Sequence, residues 1–177
     1  EKALQRLKFE EFFIAQVRLG LIKSSRHRFS RGFIFEKVGS LFNDFYNHHL
    51  PFSLTGAQKR VLKEIRKDTG SGRQMNRLLQ GDVGSGKTIV ALMSMLIAAD
   101  NGFQSCLMAP TEILAQQHFQ SLSALLKDLP VNVQILTGST KTAKRRKILE
   151  EAANGSTHIL IGTHALIEQD VQFMQLG

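Results

Sequence analysis

The chain has 177 residues, 42% of them hydrophobic and 21% charged, the balance of an ordinary globular protein with room for one good-sized domain and an appendage. Its formal net charge is +8 and lopsided, with 16 Lys and Arg against 7 Asp and Glu in residues 1–80, and 7 against 8 in residues 81–177. A single cysteine, Cys106, excludes a disulfide framework and a cysteine-based zinc site, and fits a reducing, cytoplasmic compartment. The longest small-or-apolar run, Ile89 to Ala99, is too short to span a bilayer, so no membrane association is expected. The basic half suits either a polyanion partner or a solvated helix face. No basic-then-apolar leader follows Glu1, so the chain is expected to be an excised piece of a longer protein.

Residues 2–23 predict a helix, with Leu4, Leu7, Ile14, Val17 and Leu21 at helical spacing and Phe12 and Phe13 widening the stripe. The polar basic stretch KSSRHRFSRG (23–32) reads as a break, and residues 33–49 as a second helix ended by Pro51. A domain boundary is placed there, between a basic helical arm (1–50) and an α/β domain (51–177). From Phe52 onwards helices alternate with short apolar runs, the pattern of a parallel sheet covered by helices. Residues 55–68 suit a helix, with Thr55 and Gln58 spaced as a capping box. MNRLLQ (75–80) reads as a buried strand, and Ile89–Ala99, apolar nearly all round, as a central helix. The strands QSCLMAP, VNVQILTG and THILIG then alternate with helices at 111–127 and 141–155, and a helical turn closes the pattern at 163–167.

Gly81-Asp82-Val83-Gly84-Ser85-Gly86-Lys87-Thr88 fits G-x-x-x-x-G-K-[ST], between a predicted strand and a predicted buried helix. A phosphate cradle needs successive backbone N–H groups converging on an anion, and a β-carbon would obstruct both the tight turn and the approach. The glycines remove that obstacle, and the following helix directs its positive end at the anion. Lys87 reaches β/γ oxygens and the Thr88 hydroxyl ligates Mg²⁺, so ATP and Mg²⁺ are the expected ligands. Gln58 can present donor and acceptor in one plane to adenine, with Phe52 packing nearby, or it can simply cap its helix. The segments APTE, TGS and GTH put Pro110, Thr111, Glu112, Gly138, Ser139, Thr163 and His164 at strand ends. There they either cap the next element or hold the phosphates of a nucleic-acid strand. No acid ends an apolar run after the glycine loop, so the carboxylate that activates water is expected outside this chain.

The order F-x-L-T-x-x-Q, GDVGSGKT, MAPTEILAQQH, LTGS and IGTHALI resembles the first motor domain of superfamily-2 DNA helicases, and among them the RecG-type branch-migration helicases. RLKFEEFFIAQ resembles the helical segment that precedes that motor, so the likeness covers nearly the whole chain. It implies a RecA-like P-loop domain that stops before the Walker B strand. It also implies ATP-dependent translocation on branched or double-stranded DNA by a parent that acts as a monomer in repair and recombination. Gln58 would then read adenine, residues 81–88 would hold the triphosphate and Mg²⁺, and the seven strand-end residues would lie on or near the DNA track. The fragment alone is expected to lack hydrolysis, and a missing neighbouring strand is expected to leave a sheet edge open to pairing. Transcription-repair coupling and primosomal translocases share parts of the wording. A non-motor nucleotide-binding module and a DNA-binding piece that no longer uses nucleotide are the other readings.

Overall fold

The computed structural model describes residues 2–29 and 31–177. Of the predicted basic break, Ser30 and the side chains of Lys23 and Arg26–Phe29 lie outside the described residues. The chain divides into two units, each described by itself: residues up to Ile34 with Lys67–Arg77, and Phe35–Arg66 with Leu78–Gly177.

In the first unit the opening helix α1 runs Lys2–Phe29, past the predicted end at 23. The stretch lacks proline, and Gly20 alone is too small a helix penalty, about 1 kcal/mol, to stop it. An Arg6–Glu10 pair one turn apart, at 3.0 Å, supports its surface. Apolar side chains such as Leu7, Phe9, Phe12 and Leu21 stay exposed. The Gly32 amide donates to the Gly72 carbonyl at 3.0 Å, and Arg31 bridges Arg73 antiparallel. Arg77 donates to Asp68 at 2.6 Å, a hydrogen bond that holds the Asp68 carboxyl below its usual range.

The second unit carries the sheet. Strands β1 (Ser105–Met108), β2 (Val133–Leu136) and β3 (Ile159–Gly162) are parallel in the order β1-β3-β2. Cys106 pairs with Leu160 and so does Gln134, which fixes both registers. Central β3 is buried along its whole length, as a parallel strand covered on both faces must be. On one face Ile135, Ile159 and Ile161 join the core of helices α3 (Gly56–Thr69), α4 (Lys87–Asp100) and α5 (Glu112–Leu125). On the other, Leu136 and Leu160 pack with Ile148 of α6 (Thr142–Ala153) and with Ala165 and Leu166 of a 3₁₀ turn at His164–Ile167. Helix α4 is the most enclosed, burying Ile89, Val90, Leu92, Met93, Met95, Leu96, Ile97 and Ala98. That agrees with its all-round apolar sequence.

Two predicted elements are corrected. The helix expected over 33–49 shrinks to α2 (Ser40–Asp44) and a π-helical turn at Phe45–His49. The reason is tertiary. Asn101 clamps the backbone of Lys37 from both sides, accepting from its N–H at 3.1 Å and donating to its carbonyl at 2.9 Å. Asp100 then accepts from the amides of Gly39, Leu41 and Phe42 at 2.9–3.1 Å, so α2 starts where α4 ends. The strand expected at MNRLLQ is absent: residues 74–80 are irregular and Leu78 is 89% exposed. A strand needs a ladder partner, and none of the three described strands pairs with it. Just before β1, Gln104 forms an isolated parallel bridge with Leu176.

Asp100→Ala strips three part-buried amides of one charged acceptor. It is expected to cost about 2 kcal/mol in urea unfolding, with the m-value unchanged. Wild-type stability in this variant would show that α2 is held elsewhere.

Candidate nucleotide and nucleic-acid site

The glycine loop lies directly before α4, and the packing of α4 determines where it sits. Gly84 and Gly86 both have φ near +79°, the left-handed region in which a side chain is strained. A β-carbon on Gly86 would also strike the Gln58 amide nitrogen, and one on Gly81 would come within 2.7 Å of the Ser85 hydroxyl. Gly86 is therefore restricted to glycine by conformation and by space, Gly84 by conformation, and Gly81 by the nearby Ser85 hydroxyl. Gly86 caps α4, accepting from Ile89 at 3.0 Å, and Lys87 is the first helical residue. The Lys87 ammonium donates to the carbonyls of Gly81 and Asp82, each at 2.8 Å, and so folds back across the loop. Thr88 follows in the first turn of α4, and Asp82 and Val83 are exposed at the tip. The loop fits an anionic phosphate chain: glycine backbone, a helix N-terminus and the Lys87 cation converge there.

Gln58 is 9% exposed and makes three bonds. Its Oε1 accepts from the Thr55 backbone N–H at 2.9 Å, and the Gln58 backbone N–H donates to Thr55 Oγ1 at 3.2 Å, the reciprocal capping box expected from the spacing. Its Nε2 donates to the Ser85 carbonyl at 2.9 Å, tying α3 to the glycine loop. The sequence did not reveal that tie. Phe52 is half exposed just upstream.

The strand-end residues gather on one edge because the strands are parallel and in register. Met108, Leu136 and Gly162 are level, so Pro110–Glu112, Gly138–Ser139 and Thr163–His164 all emerge at the carboxyl ends, where open α/β sheets bind ligands. They are not equivalent. Thr111 caps α5, accepting from Leu114 at 3.3 Å. Glu112 reaches across to the turn after β2, accepting from the Ser139 hydroxyl at 2.6 Å and its amide at 3.2 Å. Its carboxylate is thus spent on positioning that turn, and a negative charge there is a poor phosphate contact. A β-carbon on Gly138 would come within 3.3 Å of the same carboxylate. A shallow cavity of about 390 Å³ lies beside this link, lined by Glu112, Ile113, Gln116, Gln117, Thr137 and Ser139. Thr163 is 3% exposed and its hydroxyl has no partner among the described residues, so the residue offers almost no surface at the edge where it is expected to meet a nucleic-acid strand. His164 is exposed in the 3₁₀ turn.

The DEAD/DEAH box helicase family matches residues 55–176, and the chain belongs to that family. Its parallel sheet flanked by helices is the RecA-like arrangement of such helicases, and membership implies ATP binding. The likeness to RecG extends over the whole chain. It is 46% identical to the ATP-dependent DNA helicase RecG of Streptococcus pneumoniae, over all of this chain and 26% of that one. With RecG of Synechocystis it shares 46% over 99% of this chain and 21% of that one, and with RecG of Thermotoga maritima 43% over 100% and 22%. A structure of RecG bound to a three-way DNA junction superposes with a TM-score of 0.88 at 42% identity, covering 98% of this chain and 24% of that one. The chain therefore spans about a quarter of the length of the curated relatives it matches. No helix among the described residues is long and apolar enough to cross a membrane.

Glu112→Ala is expected to raise amide hydrogen exchange at Ser139 by about tenfold, the worth of one charge-assisted hydrogen bond, while Glu112→Gln keeps most of the protection. Unchanged exchange in the alanine variant would show that the turn holds itself.

Proposed function

We propose that this chain is the ATP-binding lobe of a DNA helicase that remodels branched DNA, forks and Holliday junctions, during repair and recombination in the cytoplasm. The observation that carries the reading is the glycine loop at the N-terminus of buried α4, on a sheet whose three strand ends present Thr111, Ser139 and His164 along one edge. The names of the relatives supply the substrate class.

In this reading the amides of Gly84–Thr88 hold the phosphate chain of ATP. Lys87 exchanges the Gly81 and Asp82 carbonyls for β/γ oxygens. Both acceptors are 2.8 Å from its ammonium, so the side chain already points into the cradle. Thr88 would hold Mg²⁺, which when bound neutralises charge on the phosphates. Phe52 packs near the adenine. For Gln58 to read the base, its bonds to Thr55 and Ser85 must open, so adenine recognition and loop geometry are coupled through one amide. DNA phosphates run along the strand-end edge past Pro110, Thr111, Gly138, Ser139, Thr163 and His164, met by the backbone amides of Thr111, Gly138 and His164, since Pro110 has no N–H, Ser139 gives its donors to Glu112 and Thr163 is buried. Glu112 orients the turn bearing Ser139 rather than touching the strand. The parent acts as a monomer.

Titration with a fluorescent ATP analogue and Mg²⁺ tests this reading. Lys87→Ala and Thr88→Ala are each expected to weaken binding at least about tenfold, the loss of one charge-assisted contact. Equal affinity in both variants would place the nucleotide elsewhere. DNA binding without any nucleotide binding would favour the reading in which the chain is a plain DNA-binding piece.

A further inference from the structure

Helix α3 carries a charged surface that neither the glycine loop nor the strand-end edge uses. Between Gly56 and Arg66 its inner face buries Gln58, Leu62 and Ile65. Its outer face presents Lys59, Arg60, Lys63 and Arg66, all exposed. At 100° per residue these four fall within about a third of the circumference. The acids on this part of the helix reduce to one, Glu64, at the margin of the face. Lys59, Arg60 and Lys63 make no ion pair among the described residues. Four cations crowded on one helix face repel each other, and the capping box and apolar inner face hold them in place against that repulsion.

We infer that the outer face of α3 is a second DNA-contacting surface that binds the sugar–phosphate backbone of a duplex arm. The inference rests on the DNA reading proposed above and adds a surface to it. Charge complementarity selects a polyanion. Lys59 and Lys63 are one helical turn apart, about 6 Å, and a duplex offers a negative charge every ~1.7 Å of its axis, so both can be satisfied at once. The geometry also selects duplex over single strand. A single-strand platform needs aromatic side chains on which bases stack, and the residues from Gly56 to Arg66 contain none. Contact is therefore to phosphates, independent of sequence and steeply dependent on salt. The helix that bears these cations also bears Gln58, so duplex contact and the glycine loop share one rigid element.

The test measures duplex affinity of the protein by fluorescence anisotropy between 50 and 200 mM KCl, using a blunt duplex without junctions. In the triple variant Lys59→Gln, Arg60→Gln, Lys63→Gln the log–log salt slope is expected to become shallower by about 2 to 3, at ~0.9 per lost phosphate contact, and affinity near 0.1 M salt to fall at least about tenfold. Nucleotide affinity, set by Lys87 and Thr88, should stay within twofold. In parallel, amine-reactive labelling of the unmodified protein reads Lys59 and Lys63 directly, whatever the folding of the variant. Both lysines are expected to be protected by the duplex and not by an acidic polypeptide of matched charge. An unchanged slope, or lysines that label equally with and without DNA, overturns the α3 surface alone. So does protection by the polypeptide in place of DNA. Failure of the unmodified protein to bind any duplex would bring down the DNA reading with it.

Discussion

The structure depends on the burial of α4. Eight of its side chains are enclosed on several sides, which leaves the helix no freedom to slide or turn. Whatever is attached to its ends is therefore fixed in space. At the N-terminus that is the glycine loop, whose left-handed turns at Gly84 and Gly86 lead the chain into the helix, with the Ser85 amide donating to the Asp82 carbonyl at 3.2 Å. At the C-terminus it is Asp100 and Asn101, which hold the irregular segment from Lys37 and start α2. One apolar helix thus sets both the glycine loop and the packing of the residues before the sheet.

The second constraint is the parallel register. Because β1, β2 and β3 run the same way and end level, every connection that leaves them emerges on one edge. Hydroxyls and amides far apart in sequence meet there without any special device. A specific device is the Glu112–Ser139 link, which joins the start of α5 to the turn after β2. It converts two separately capped elements into a continuous surface. The buried hydroxyl of Thr163 and the exposed imidazole of His164 show how neighbouring residues in one motif divide between packing and surface.

Much of this was legible beforehand. The α4 helix, the three strands, α5 and α6 follow from apolar runs and periodicity, and the capping box at Thr55–Gln58 formed as its spacing implied. The glycine loop was legible because its chemistry is local: left-handed turns need glycine, and the lysine must follow at once. What was hidden is tertiary. Nothing in FIFEKVG announces that Asn101, 64 residues later, clamps Lys37. MNRLLQ has the composition of a strand, but composition supplies no ladder partner. Gln58 could be read as a cap or as an adenine ligand, and its bond to Ser85 is a third role that only folding reveals. The Glu112 carboxylate reads as one more residue of a motif until its oxygens are found on Ser139.

The central claim is that backbone amides at the start of α4 grip an anionic chain. Backbone amide NMR during titration with Mg·ADP tests it most directly. The account predicts that Gly84, Ser85, Gly86, Lys87 and Thr88 show the largest shifts and saturate together, with Gln58 Nε2 following as its bond to Ser85 responds. Saturable binding that leaves those amides unmoved while resonances elsewhere in the protein shift would contradict it.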